Sequence, residues 1–418
     1  MKGVVVMGSS HGRLSWLSSA MVMVLGAAVL SACGSSPTAS STGKGQVATS
    51  VQAGYVKGLP SNLASLYSHA KDVLGPSAYR NWKATSTPWT LCFNNSYLGN
   101  TWRAASQQEF NSLAQHYKNL GLVSKYFSTN SNQNLATQIQ QMHDMISVDH
   151  CSAILTIPTG TSGMDSVIKE AYDAGIPVVT DIGGSTTSPY AENFDQNTYM
   201  VAAEAAQYLV NAIHGKGNML DVLGFPGETQ SVELQAGLHS VLKKYPNVHI
   251  VGQVTGQVTD SIAQGATEQF LATHPQPINA VFQEGAMGSG ILNAFKQEKR
   301  PVPALYFQGS GSMVSIMHTM IANGEHPNFI GLTTSPGAAM KDAFNIMIRL
   351  LEGQHPKNMT IYEPPPQITA SNIDQWWTPA LTPSTTVWPE PKKDPVPTSV
   401  MNEYFSNGRA PLPYKGKG

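Results

Sequence analysis

Residues 152–184 read SAILTIPTGTSGMDSVIKEAYDAGIPVVTDIGG, and this stretch decides the fold of the chain. It opens with a short apolar run, Ala153–Ile157, that is typical of a buried strand. Apolar residues spaced three and four apart then predict a helix, with Ser162 as its N-cap and Gly175 as the glycine that ends it. A second buried strand is predicted at Ile176–Thr180. A strand, a helix and a strand in such close succession predict a parallel, right-handed β-α-β unit.

The loops after these two strands are the first places to look for a site. Ligands of open parallel sheets bind outside the carboxyl ends of the strands, which here are the loops Pro158–Ser162 and Asp181–Thr186. The first residue of the second loop, Asp181, is therefore a candidate ligand contact. The alternative is that its carboxylate only caps a turn.

The first fifty residues indicate the compartment of the protein. Basic residues precede an apolar run at 17–30 that is short for a membrane span and that leads into Leu30–Gly34 (LSACG), a bacterial lipobox pattern. We therefore expect a lipoprotein signal peptide over residues 1–32, lipidation of Cys33, and an extracytoplasmic protein anchored to the cell membrane. Residues 33–53 are rich in Ser, Thr and Gly and are expected to form a flexible tether. The alternative is an ordinary signal peptide in which the cysteine is incidental.

The composition argues against a nucleic-acid partner. Charged residues make up 12% of the chain and the formal net charge is −1, with no basic stripe, so nucleic acid is not an expected partner.

Besides Cys33, the chain contains only Cys92 and Cys151. Export permits a disulfide between them. Two buried thiols are an equally acceptable interpretation, because each cysteine lies in or beside a predicted strand.

Strand and helix patterns alternate through the rest of the chain. About 370 residues remain after the leader and the tether, which is more than one hydrophobic core usually organises. A predicted helical preamble at residues 54–86 is followed by buried strands that alternate with amphipathic helices through two halves. This pattern predicts an α/β protein with two doubly wound parallel-sheet lobes. Residues 377–418 are rich in proline and are expected to form an irregular strap over one lobe or, alternatively, a partner-binding tail.

Several blocks between residues 89 and 377 resemble the periplasmic sugar-binding proteins of ABC importers, the cluster that includes ribose-binding protein. The order and spacing of these blocks carry the resemblance: PWTLCFNN (88–95), GIPVVT (175–180), HPQPINAVF (274–282), TTSP (333–336) and QITASNID (367–374). It implies the type I periplasmic binding fold, in which two lobes are joined by a three-crossing hinge and close on a ligand. By this resemblance lobe 1 comprises residues 87–194 and 335–361, and lobe 2 comprises residues 195–334 and 362–376.

The same resemblance places candidate ligand contacts at the carboxyl ends of the strands. In the family, aromatic rings stack on the apolar face of a sugar, and polar side chains pair with its hydroxyls. The candidate positions here are Asn95, Ser96, Tyr97, Asn100, Trp102, Asp181, Glu284, Gln308 and Thr334. Trp102 could instead only pack its helix against the sheet, and Arg103 is interpreted as a surface helix residue. Two arginines and an aspartate of the family pattern are not matched, so we expect a sugar-like ligand that is not held as ribose or galactose usually are.

The predicted function is capture of a small, sugar-like ligand by a monomeric lipoprotein that delivers it to an ABC permease. The alternatives are ligand sensing through a membrane receptor and transport of a non-sugar ligand. The sequence contains no hydrolase elbow, metalloprotease motif or Walker loop, so neither an enzyme nor a cofactor is expected. His143, Asp149, His150 and Cys151 are metal-ligating residue types, but their spacing is irregular and a metal site is the less favoured interpretation.

Overall fold

The computed structural model describes residues 56, 58–70, 74–160, 162–182, 184–226, 229–332, 334–392, 394 and 396–412, so the predicted signal peptide, Cys33 and the tether lie outside the described residues. The helices are α1 (Ser61–Ser65), α2 (Thr101–Asn119), α3 (Leu135–Ser147), α4 (Asp165–Asp173), α5 (Thr198–Ala212), α6 (Thr229–Leu242), α7 (Asp260–Thr273), α8 (Gly288–Gln297), α9 (Gly311–Ala322), α10 (Pro336–Leu351) and α11 (Thr398–Glu403). The strands are β1 (Trp89–Asn95), β2 (Val123–Asn130), β3 (Ala153–Ile157), β4 (Val178–Thr180), β5 (Glu192–Gln196), β6 (Gly217–Leu223), β7 (Val248–Thr255), β8 (Ala280–Gln283), β9 (Ala304–Phe307), β10 (Phe329–Leu332), β11 (Thr360–Glu363) and β12 (Gln367–Ile368). None of the helices in this described part combines the length and the apolar character needed to cross a membrane.

The strands form two six-stranded sheets, one in each lobe. The first sheet has the order β11-β5-β4-β3-β1-β2, and the second has the order β12-β10-β9-β8-β6-β7. Each neighbouring pair is parallel except β10 with β12, which is antiparallel. The predicted fold class, two doubly wound α/β lobes, is therefore confirmed.

The strand β3 lies at the centre of the first sheet. It is buried along its whole length between β1 and β4, and its Ile154 pairs with Val178. Leu155 belongs to one hydrophobic cluster of this lobe and Ile154 to another, because successive side chains of a strand point to opposite faces. Both faces of the sheet are therefore covered, which explains why the sequence of β3 is apolar without alternation.

The helix α4 joins β3 to β4 as the sequence pattern predicts. It buries the side chains Val167, Ile168 and Ala171. The chain leaves the helix through Gly175, whose φ of +78° favours glycine. The predicted N-cap at Ser162 is wrong, since the helix begins after Met164 without a side-chain cap. The chain turns at Gly163, whose φ is +106°. This turn separates Ser162 from the first helical residue.

The chain passes between the two sheets three times. These passages follow β5, β10 and β11, and they lead into α5, α10 and β12. The expected lobe boundaries at residues 194 and 361 lie inside β5 and β11, two strands that the sequence pattern missed. Both strands are completely buried even though they carry Glu192, Asp195 and Glu363. Their sequences, ENFDQ and TIYE, lack the apolar run from which the other buried strands were predicted.

Cys92 and Cys151 form a disulfide with their Cα atoms 6.0 Å apart. Cys92 lies in β1, and Cys151 lies two residues before β3. Of the two interpretations that the sequence left open, the disulfide is therefore the one the structure adopts. It joins neighbouring strands of the first sheet.

The segment before β1 is not the helical preamble that the sequence predicted. Among its described residues only α1, five residues long, is an α-helix. Tyr67 instead donates a hydrogen bond to the Thr360 carbonyl at 2.6 Å, and Pro76 forms an isolated β-bridge with Asn358. The prediction of a helix is wrong because the segment bonds to the first lobe and packs its aromatic side chains there. Tyr79, for example, is fully buried in the core of that lobe.

The proline-rich C-terminal segment, which we call the strap (residues 377–412), lies over both lobes and not over one. Leu381 packs in a hydrophobic cluster of the second lobe, and its carbonyl accepts a hydrogen bond from Ser315 of α9 at 3.0 Å. Further along, the Trp388 Nε1 donates to the hydroxyl of Thr101, the first residue of α2, at 3.1 Å. The strap then enters the core of the first lobe through the buried side chains Val396, Met401, Tyr404 and Phe405.

Candidate ligand-binding cleft

A cavity of about 450 Å³ lies between the two lobes. The first lobe lines it with residues that follow β1, β3 and β4, and the second lobe lines it with residues that follow β6, β8 and β9. The cavity is therefore at the carboxyl ends of the strands, where open parallel sheets bind ligands. Its volume is within the range of small-molecule sites.

The structure brings five of the nine candidate contacts together in the wall of this cavity. They are Ser96, Tyr97, Trp102, Glu284 and Gln308. The other four, Asn95, Asn100, Asp181 and Thr334, do not line it and lie in the structure that supports it. Direct ligand contact by these four is therefore not what the geometry favours, and a ligand role for the first five stays a prediction.

Asn100 sets the start of the helix that carries the aromatic part of the wall. Its side chain caps α2 by accepting a hydrogen bond from the Arg103 backbone N–H at 2.8 Å. The cap fixes the first turn, so both Trp102 and Arg103 reach the cavity. The Trp102 Nε1 donates to the carbonyl of Thr334 at 3.4 Å. Asn95, which is fully buried, accepts from the Tyr97 backbone N–H at 3.3 Å and so orders the loop before α2.

Asp181 is fully buried behind the wall, directly before the lining residue Ile182. One of its carboxyl oxygens accepts from the Ser106 hydroxyl and the other from the Ile182 backbone N–H, each at 2.8 Å. Burial raises the pKa of Asp181 to about 7, although the bond from Ser106 and the charge of Arg103 oppose the rise. The residue therefore supports the loop after β4, which is closer to the turn-capping alternative than to ligand contact.

Thr334 belongs to a buried hydrogen-bond chain at the hinge. The Gln196 side-chain amide donates to its hydroxyl, and the hydroxyl donates to the Glu363 carboxyl. Burial raises the pKa of Glu363 to about 8. These hydrogen bonds link the last residues of β5 and β11 with Thr334, two residues before α10, so they join all three passages between the lobes.

The Glu284 carboxylate of the second lobe accepts three hydrogen bonds. One carboxyl oxygen accepts from the Gly224 backbone N–H at 2.9 Å and from the Ser231 hydroxyl at 2.6 Å. The other accepts from the Gln235 side chain at 2.7 Å. Gln235 also donates to Asp221 at 2.9 Å. Burial raises the pKa of Asp221 to about 6 against the effect of its amide donors, and the charge of Glu284 adds to the rise.

Sequence reasoning missed several residues of the wall. The most informative is Arg103, which was interpreted as a surface helix residue but lines the cavity from the first turn of α2. Its place immediately after Trp102 in a helix that opens at a strand's carboxyl end is the signal that could have found it. Asp195 and Gln196 of β5 and Glu233 of α6 also line the cavity. Asp195 and Gln196 were missed because β5 and its position at the hinge were not predicted, whereas the helix that carries Glu233 was predicted without any of its residues being assigned to the site.

Three of the four residues considered for a metal site have other partners. Cys151 is in the disulfide, Asp149 pairs with Lys125 at 2.7 Å, and the His143 imidazole lies 2.9 Å from the Glu170 carboxylate. Within the described ranges no group of three or more His, Cys, Asp or Glu side chains is arranged to hold a metal ion.

Comparisons with known proteins agree with this geometry. A family profile described as the periplasmic binding protein domain matches residues 91–355, which is more than half of the chain. The xylitol-binding protein of Mycolicibacterium smegmatis is 25% identical over 255 residues, which cover 58% of this chain and 68% of that protein. The galactofuranose-binding protein of Escherichia coli is 23% identical over 292 residues, which cover 68% of this chain and 89% of that protein. The crystal structure of an ABC transporter solute binding protein from Thermobispora bispora superposes with a TM-score of 0.63 at 26% identity, over 71% of this chain and 89% of that one.

Proposed function

Because this chain belongs to the periplasmic binding protein family, whose members are solute-binding proteins and not enzymes, we propose that it captures a sugar or polyol in the cleft between its lobes and delivers it to an ABC permease. The observation that carries the proposal is the composition of the cleft wall. An indole ring, Trp102, and a phenol, Tyr97, share one cavity with the polar side chains of Ser96, Gln308 and Glu284.

This mixture of side chains suits a polyhydroxylated ligand. The C–H face of a sugar stacks on an aromatic ring, and each hydroxyl that leaves water needs a hydrogen-bond partner. The relatives named for xylitol and for galactofuranose are consistent with such a ligand. Since both lobes supply wall residues, a ligand that touches both stabilises the arrangement in which the lobes enclose it.

The place of the protein in the cell follows from the same family membership. Periplasmic binding proteins work outside the cytoplasmic membrane, where they meet their permeases. We propose in addition that Cys33 is lipidated and holds a monomeric protein at the membrane surface, which is supported by the lipobox at residues 30–34.

A thermal-shift experiment tests the proposed function. The full-length chain is heated with neutral sugars, amino sugars, polyols, amino acids, nucleosides and short carboxylic acids, one at a time. A ligand that binds only the folded state raises the melting temperature by mass action, and we expect this rise with a sugar or polyol of either kind. A rise only with an amino acid, a nucleoside or a simple acid would show that the fold serves a different solute.

A further inference from the structure

The charged residues of the cleft are divided unevenly between its walls. The first lobe supplies one cation, Arg103, and β5 supplies Asp195. The second lobe supplies Glu233 and Glu284, and none of its described lining residues is a Lys, Arg or His. Among the described lining residues there are therefore three carboxylates and one guanidinium, and the excess of negative charge lies on the side of the second lobe.

The two carboxylates of the second lobe are held in place by the same helix. Ser231 of α6 donates to Glu284, whose carboxylate also receives the bonds from Gly224 and Gln235. Donors of this kind are oriented to stabilise a negative charge on the oxygens that accept them. Glu233 follows on the same helix and is only 8% exposed, yet it lines the cavity. Both carboxylates are thus largely removed from bulk water, at 5% exposure for Glu284 and 8% for Glu233.

A third buried carboxyl, that of Asp221, extends the negative region behind this wall. Asp221 is fully buried in β6 and accepts from Gln235 and from Gln253, each at 2.9 Å. The side chains that donate hydrogen bonds to Glu284 and Asp221 are therefore amides and a hydroxyl, which orient a negative charge but do not neutralise it.

We propose that the ligand carries a protonated amine, as an amino sugar or an amino polyol does, and that the second lobe binds the amine beside Glu233 and Glu284. This inference rests on the proposed function and names the ligand class of the same cleft. An acidic sugar placed there would bury a further negative charge among carboxylates, which is costly, whereas an ammonium group compensates them and brings three hydrogen-bond donors. The C–H face of the sugar or polyol part then lies against the aromatic rings of the first lobe.

Matched ligands that differ only in charge test the proposal. Calorimetric titration of the full-length chain compares glucosamine with glucose and glucuronate, and uses galactosamine and mannosamine as stereochemical controls. A second series compares 1-amino-1-deoxysorbitol with sorbitol and gluconate. We expect the best amine to bind at least about tenfold more tightly than its neutral partner, and the acids not to bind.

The variant Glu233→Gln separates charge from shape at nearly constant volume. We expect it to reduce the preference for the amine over its neutral partner to within about threefold. Glu325→Gln, on an exposed turn of the same lobe, is the matched control and should leave both affinities unchanged.

The failures of the two proposals are distinguishable. A neutral sugar or polyol that binds as tightly as its amine, or an acid that binds best, would overturn the inference and leave the proposed function standing. If no sugar or polyol of any charge binds, the proposed function itself fails.

Discussion

The two walls of the cleft are built on the same kind of sheet and yet differ in chemistry. The first lobe supplies a cation, Arg103, beside its aromatic rings. The second lobe also supplies rings, those of Phe225 and Tyr306, but its charged side chains are the carboxylates of Glu233 and Glu284. The common architecture places both sets at the ends of strands. The walls therefore differ in charge, and we infer that the second wall receives the positively charged or polar end of a ligand.

The walls also differ in how they are supported. The first lobe is covered by both terminal segments, whose Tyr67 and Tyr404 each donate to a backbone carbonyl of β11, those of Thr360 and Tyr362. The second lobe's wall is held by the hydrogen bonds around Glu284. The first wall therefore depends on the packing of the terminal segments against its sheet, whereas the second wall depends on the orientation of the hydrogen-bond donors around its carboxylate.

The largest effect is expected from removing the aromatic surface of the first wall. Trp102→Ala deletes the ring on which the ligand would stack, and the loss of such an anchor costs roughly 2 kcal/mol or more, or on the order of 30-fold in affinity. Calorimetric titration with the ligand identified in the thermal screen measures this loss.

Trp377→Ala is the control for this variant, because Trp377 stacks on His318 with ring centres 4.0 Å apart and does not line the cleft. Equal affinities of Trp102→Ala and the wild type would mean that the first wall does not act by stacking. The contrast between the two walls would then rest on their charged side chains alone.

An intermediate effect is expected where the strap passes from the second lobe to the first. A Cβ atom added at Gly311 of α9 would lie 2.1 Å from the carbonyl oxygen of Val387 in the strap. Gly311→Ala must therefore displace the strap or the helix, and we expect a loss of about 1–3 kcal/mol in the free energy of unfolding, measured with urea.

Gly265→Ala is the matched control on α7 of the same lobe, since no atom lies within 4 Å of the added Cβ. It should leave the stability unchanged or raise it by up to about 1 kcal/mol, because alanine favours a helix more than glycine does. Equal stability of Gly311→Ala and the wild type would show that the strap does not hold the second lobe closely.

A smaller effect concerns the pH dependence of stability. The pKa of Asp181 is about 7, against an ordinary value of 3.8, chiefly because the carboxyl is buried. Between about pH 4 and pH 7 the folded protein therefore binds more protons than the unfolded chain, and stability falls as the pH rises through this window. Glu363, with a pKa of about 8, extends the fall by about one pH unit.

Asp181→Asn tests this origin of the pH dependence. The amide resembles the protonated carboxyl and can still accept from Ile182, so the melting temperature of the variant should fall less steeply between pH 4 and pH 7. A slope equal to that of the wild type would mean that Asp181 is ionised in the folded protein throughout this range.

Much of the architecture could be predicted from the sequence because short stretches of sequence specify its strands and helices. The unit β3–α4–β4 combines buried apolar runs with helical spacing and a terminal glycine at Gly175. The rule that ligands meet the carboxyl ends of parallel strands then led to the loops after β3 and β4, which supply Pro158 and Ile182 to the cavity wall. These inferences use residues that are close in sequence, whereas Ser96 and Gln308 were predicted from the family resemblance.

The parts that could not be predicted depend on distant partners. Glu192 is buried in β5 because Ser77, 115 residues earlier, donates to its carboxylate at 2.7 Å, and no local pattern shows such a partner. Asp181 and Thr334 were placed by analogy of position, yet their side chains bond to Ser106 and to Glu363 instead of lining the cavity. Arg103 was assigned to the surface because a helical position does not reveal which neighbour covers it.

The claim that a sugar-like ligand binds between two chemically different walls is tested most directly by a crystal structure of the full-length chain with the compound that raises the melting temperature most. We predict electron density for the ligand in the cavity between the lobes, with a carbon face against the Trp102 ring and a polar end within hydrogen-bond distance of Glu233 or Gln308. Density for the ligand anywhere outside this cavity would contradict the claim, as would contacts with one lobe only.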